Sequence, residues 1–183
     1  MTEHLPPQEP EKPQDAPTQP EPGAALPSGR FTGRNEFRSL VRAALACAAR
    51  EGWREIILTD AGFADWPLGE REVAQSLNDW SASGRHCTLL ARRYDEMTLR
   101  HARFVTWRKT WSHIVDARAC SSADPLELPS AIWSPGWVMQ RLDPERSNGF
   151  CGVEPDRRVA LREKLNEWLG RSSPSFPATT LGL

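Results

Sequence analysis

Apolar positions recur at intervals of three and four from Phe37 through Leu40, Val41, Ala44, Leu45 and Ala48, and Gly52 follows as a helix-ending glycine. A short, nearly continuous apolar run comes next, Glu55-Ile56-Ile57-Leu58-Thr59, of the kind buried in an open sheet. The alternation repeats. A loop from Asp60 through Pro67 leads to a helical pattern from Glu70 with Val73, Leu77 and Trp80 on one side and Gly84 as terminator, and then to a strand over 86–91. Residues 94–113 read as a third helix and 114–119 as a third strand. Strands separated by helices of this length predict βαβ units and a parallel sheet. Beyond them, 131–133 and 137–142, joined by Ser134-Pro135-Gly136, read as a hairpin. A polar turn over 143–149, a short extended piece at 150–153 and a helix over 156–169 complete the series. The predicted fold is α/β: a mixed sheet with a parallel core, helices on both faces, a C-terminal hairpin and a closing helix.

Composition sets the outer limits. Half of the 16 prolines lie in residues 1–30, where large apolar residues are almost absent, so residues 1–33 are expected to form a disordered tail. The folded domain is expected over 34–170, with 171–183 as a flexible C-terminal tail. No run reaches the ~20 apolar residues of a membrane span, and no signal peptide is visible at the start. Four cysteines without CxxC pairing fit reduced thiols, so a cytoplasmic protein is the expectation. Arg outnumbers Lys 20 to 3, as the codon bias of a GC-rich genome would produce.

The net charge of −1 gives no global pull toward polyanions, but residues 85–113 hold seven Arg or Lys against two acids. Viewed down the predicted helix, Met97, His101, Phe104 and Trp111 share a stripe with Arg108, flanked by Val105 and Trp107, while Arg103 and Lys109 face outward. Most of the aromatic content therefore belongs to a core face, and nucleic-acid binding through Arg103, Trp107 and Lys109 is the minority reading. A second candidate lies where ligands bind open α/β sheets, outside the carboxyl ends of the parallel strands. Arg92, Arg93, Arg118, Ser121 and Ser122 fall there and would suit a phosphate-containing ligand.

The order of elements, the hairpin Ala131–Leu142, the turn Pro144-Glu145-Arg146-Ser147-Asn148-Gly149-Phe150 and the helix ending Glu167-Trp168-Leu169 together resemble one half of a phospholipase D-like domain. Active members of that superfamily carry His-x-Lys-x4-Asp on the strand entering the hairpin, with His as nucleophile on phosphorus and Lys on the phosphoryl oxygens. Here Pro125 to Ser134 contains neither His nor Lys, and His101 and Lys109 lie upstream at the wrong spacing. The resemblance thus implies a catalytically inactive binding or interaction module of the bacterial cytoplasm. The alternatives are a nucleic-acid-binding protein or a phosphodiesterase-type hydrolase with His101 or His113 as general base.

No cofactor or metal is expected. His86 and Cys87 are strand neighbours that point to opposite faces and cannot both join Cys120 and Cys151 around one ion. Eight tryptophans leave Trp66, Trp133 and Trp137 at loop or hairpin positions, where they would line an exposed apolar patch. A homodimer or protein partner is the expectation drawn from that patch.

Overall fold

The computed structural model describes residues 25–82 and 84–177. The elements in chain order are β1 (Gly29–Phe31), α1 (Arg34–Glu51), β2 (Glu55–Asp60), α2 (Arg71–Trp80), β3 (His86–Ala91), α3 (Asp95–Arg100), α4 (Ala102–Thr110), a single 3₁₀ turn at Ser112–Ile114, β4 (Val115–Ala119), β5 (Ser130–Trp133), β6 (Val138–Asp143), β7 (Asn148–Gly152), α5 (Pro155–Gly170) and β8 (Ser173–Pro174). The strands form one sheet in the order β1-β7-β6-β5-β2-β3-β4-β8. β2, β3 and β4 are parallel, and every other pairing is antiparallel. The fold is α/β with a mixed sheet and a parallel core, as the periodicity predicts.

Strand alternation sorts the side chains into two cores. Ile56, Leu58, Cys87, Leu89 and Ala91 face α1, α2 and α4, and join Phe37, Leu45, Trp80 and Phe104 in the larger core. Ile57, Leu90, Ala131 and Val138 face the other way, under Leu161 and Leu165 of α5. Burying each large side chain contributes about 1.5–3 kcal/mol, so the apolar stripe of α1 alone commits that helix to the sheet. The helix stops at Gly52, whose φ of 67° is left-handed and whose N–H reaches Ala48 O. A side chain there would also collide with Arg85, whose guanidinium donates to Gly52 O at 2.7 Å.

Three expectations are corrected. The helix predicted over 94–113 is two helices with His101 between them, at φ −121° and ψ 53°. His101 is held there by its own ring, whose Nε2 lies 2.8 Å from Phe63 O, and this anchor turns the chain out of a continuous helical path. Residues 29–31, expected to lie in the tail, are a strand paired with β7. Just before it, Pro27 O accepts from Trp137 Nε1 and Cys151 Sγ. At the other end 173–174 pairs with β4, and the Phe176 ring stacks on Tyr94 with centroids 4.7 Å apart. The expected tail over residues 1–24 and the last six residues lie outside the described residues. Among the described residues no helix is long and apolar enough to cross a membrane.

The sheet is pinned at one end by a buried guanidinium. Arg141 on β6 shares its face with Met139, so period two carries it into the core, where its side chain is 3% exposed. It donates from Nη2 to Asp60 Oδ2 at 2.8 Å, from Nη1 to Asp65 Oδ2 at 2.5 Å and from Nε to Ser130 Oγ at 3.0 Å. Its planar group lies 4.2 Å from the Phe37 ring centroid on α1. Asp60 in turn accepts the N–H groups of Gly62 and Phe63 through its other oxygen. One cation therefore ties β2, the loop after it, β5, β6 and α1 together. Arg141→Ala strands two carboxylates without their counter-charge and is expected to cost about 3–5 kcal/mol, read as a lower urea midpoint. Adding Asp60→Asn and Asp65→Asn to that variant should restore part of the loss.

Candidate functional site

The carboxyl ends of β2, β3 and β4 open on the same side, and the loops leaving them build two clefts on either side of α3. The first, of about 550 Å³, is lined by Arg92, Arg93, Tyr94, Leu99 and Ser121, with Asp95 also present. β3 ends at Ala91, and the N–H groups of Arg92 and Arg93 both turn back to Ala61 O, at 3.1 and 3.3 Å. Those bonds fix the start of the loop, and both arginines line the cleft. Among the described residues neither arginine forms an ion pair, and Arg92 Nε is buried without a hydrogen-bond partner. Tyr94 OH donates to Arg118 O at 2.8 Å, and burial pushes its phenol pKa upward. Ser175, whose N–H donates to Ala117 O, supplies the far wall.

Of the five anion-binding candidates, Arg92, Arg93 and Ser121 are brought together. Arg118 is not. Ala119 lines the cleft, so the preceding side chain points to the opposite face of β4, where Arg118 donates to Ser172 Oγ and Ser172 O at 2.7 and 2.9 Å. Ser122 is exposed and does not line the cleft. The wall residue Ser175 went unrecognised because its segment is short, polar and proline-flanked, and looks like tail.

The minority nucleic-acid set does not form a face. Trp107 is 2% exposed and its Nε1 donates to Ser81 Oγ at 2.8 Å, so its ring cannot stack on a base. Arg103 donates to Gly69 O and Lys109 is exposed. The indoles expected to make an apolar patch are likewise inside: Trp66 and Trp137 are buried, and Trp133 Nε1 donates to Arg158 O. The surface patch that suggested a dimer is therefore absent at these three residues.

The second cleft, of about 420 Å³, lies over the loop that follows β2 and includes Arg38, Trp66, Gly69, Glu70, Arg100 and His101. Glu70 sits just before the first turn of α2 and receives Arg38 at 2.7 Å and Arg42 at 2.6 Å from α1. The Arg42 hydrogen bond, opposed in part by burial, holds its carboxyl down at about 2. His101 is buried, and desolvation pulls its imidazole below its ordinary value. Because Phe63 O can only accept, Nε2 carries the proton and Nδ1 keeps a lone pair. Such a ring has the tautomer of a general base, but no hydroxyl or thiol among the described residues is hydrogen-bonded to it. His113 is exposed beside Trp111, with ring centroids 5.8 Å apart.

All four cysteines are free and buried, and desolvation raises Cys87 to about 12 and Cys47 and Cys151 to about 11. They are thiols rather than nucleophilic thiolates. Among the described residues no three His, Cys, Asp or Glu side chains gather as a metal site would require.

No protein-family model and no curated protein matches the chain. Among solved structures it is similar to TrmBL2, an archaeal chromatin protein with a novel mode of DNA binding, at 14% identity and a TM-score of 0.56. The likeness covers 81% of this chain and 54% of that one, so this chain spans about half of its neighbour. At that identity the likeness is one of fold.

Two outcomes follow from these side chains. The ion pairs of Glu70 should stabilise the fold fully above about pH 4.5 and be lost as the pH falls toward 2. Glu70→Gln should therefore lower stability at neutral pH while the gap to the native protein closes in acid, as followed by urea unfolding across that range. A thiol reagent such as Ellman's should label native protein slowly and react fully once it is unfolded.

Proposed function

We propose that the chain is a non-catalytic phospholipase D-like half-domain of the cytoplasm that binds a phosphate-bearing ligand at the carboxyl ends of β3 and β4. The observation that carries this reading is the cleft shared by Arg92, Arg93 and Ser121, with two guanidinium groups free of ion pairs among the described residues. Arginine suits this task because its fork matches phosphoryl oxygens and stays charged at every accessible pH. The exposed Leu99 at the rim gives an organic group attached to the phosphate somewhere apolar to rest.

The non-catalytic part rests on chemistry. Pro125 to Ser134, which includes the strand entering the hairpin, contains neither the His nor the Lys that the resemblance would require. Ser130 Oγ already accepts from Arg141, whose single positive charge is shared between Asp60 and Asp65 and leaves the cluster one negative charge in excess. The arginine there already serves two carboxylates, and the excess negative charge disfavours a phosphoryl group at that spot.

Titration with phenyl phosphate, followed by NMR at the amides of Tyr94 and Ser121 in the first cleft, should show binding that weakens as salt rises. Arg92→Ala/Arg93→Ala should reduce it by tenfold or more, since charge-assisted hydrogen bonds contribute about 1.5–3 kcal/mol each, with melting unchanged. Hydrolysis of bis(p-nitrophenyl) phosphate should stay at background. Undiminished binding in the double variant, or hydrolysis by the native protein, would remove the corresponding half of the reading.

A further inference from the structure

The second cleft contains two polar side chains that the fold buries and leaves partly unused. Trp66 is 1% exposed, packed edge-on against Phe37 and Phe63, yet its Nε1–H has no acceptor among the described residues. A buried donor without a partner costs about 1–3 kcal/mol, and every other indole N–H described in these clefts and the hairpin has found one. His101 is 5% exposed and spends only Nε2 on the protein. Its Nδ1 faces Gly69, where a Cβ would lie 3.2 Å from Nδ1 and 2.9 Å from Arg100 O. Glycine at 69 is thus what leaves room beside the unused nitrogen.

Charge at the rim has a definite sign. Glu70 lines the cleft, but both its oxygens are taken by Arg38 and Arg42. Arg38 uses Nη2 on that bond and Arg100 uses Nε on Glu96, so each guanidinium keeps further N–H groups for another acceptor. Arg38 and Arg100 therefore offer N–H donors at this cleft, the Trp66 N–H stands unanswered within its wall, and His101 Nδ1 offers a lone pair. Water could answer one such group, but about 420 Å³ is over ten times the ~30 Å³ share of a water in the liquid.

We propose that this cleft is a second, separate ligand site, taking a hydrogen phosphate group whose anionic oxygens accept from Trp66, Arg38 and Arg100 while its P–OH donates to His101 Nδ1. A fully deprotonated oxyanion fits worse, because it would set a lone pair against a lone pair at Nδ1. The group could be inorganic phosphate or the end of a phosphomonoester, which share this chemistry.

The test is an NMR titration of the full chain at neutral pH, following the Trp66 indole N–H, with inorganic phosphate, glycerol phosphate and sulfate in parallel. Phosphate should move that resonance downfield in a saturable way, and sulfate should need at least tenfold more. Saturation by glycerol phosphate at lower concentration would identify the monoester as the ligand form, and the reverse order the free ion; both support the site. Trp66→Phe removes the N–H together with one ring of the buried indole, and in protein shown to be folded by its amide spectrum the affinity read at the Gly69 and Glu70 amides should fall about tenfold, the loss of one hydrogen bond to a charged group. The Arg92→Ala/Arg93→Ala protein should retain the Trp66 response, which keeps this site apart from the first cleft. An indole resonance unmoved by tens of millimolar phosphate overturns the proposal, and does so without relying on the variant. An equal response to sulfate overturns the role given to His101.

Discussion

A guanidinium shut inside a protein must find oxygen for its N–H groups, and Arg141 finds it from four segments of chain at once. Asp60 ends a central parallel strand, Asp65 lies in the loop beyond, Ser130 opens the antiparallel strand β5 beside it, and Ser147 sits in the turn to β7. Desolvating these charges is expensive, and geometry of this quality is what offsets the cost. The parallel half of the sheet meets the antiparallel half at β2 and β5, next to this cluster. The position of the loop carrying Phe63 and Trp66, and through Phe63 that of His101, follows from the same set of bonds.

Both clefts inherit their walls from this arrangement. Asp60 holds the backbone of residues 62 and 63, and the Ala61 carbonyl just before them receives the N–H groups of Arg92 and Arg93. The His101 anchor breaks the helical path and leaves α3 as a short partition. Arg92 and Arg93 end up on one side of it, Arg100 and His101 on the other. A rigid scaffold with variable loops at one end is the usual way an α/β sheet carries binding chemistry.

The fold was legible because its central strands are apolar on both faces and its helices have clear stripes; β3 begins and ends where the pattern places it. What stayed hidden depends on contacts distant in sequence. Nothing local marks Gly29–Phe31 as a strand, since its partner β7 lies more than a hundred residues away. The break at His101 is invisible to a helical wheel, because its cause is a carbonyl 38 residues upstream. Arg118 was grouped with Arg92 and Arg93 by position along the sheet, whereas alternation alone separates it from them. Arg141 could have been found: an arginine two residues after Met139, on a strand whose alternate positions are core, must be buried and must be paired.

The stacking of Phe176 on Tyr94 reaches beyond packing. Tyr94 and Ser175 both line the first cleft, and Ser175 is held there by a two-residue strand and a bond to Ala117. So short a strand adds little on its own, and its docking draws on the Phe176 ring and the bond to Ala117 as well. Whatever fills the cleft against that wall also favours the docked segment, by the same amount that docking favours the ligand. The coupling between an occupant of that cleft and the docking of Ser173–Phe176 would therefore be one reciprocal free energy, read equally from either side.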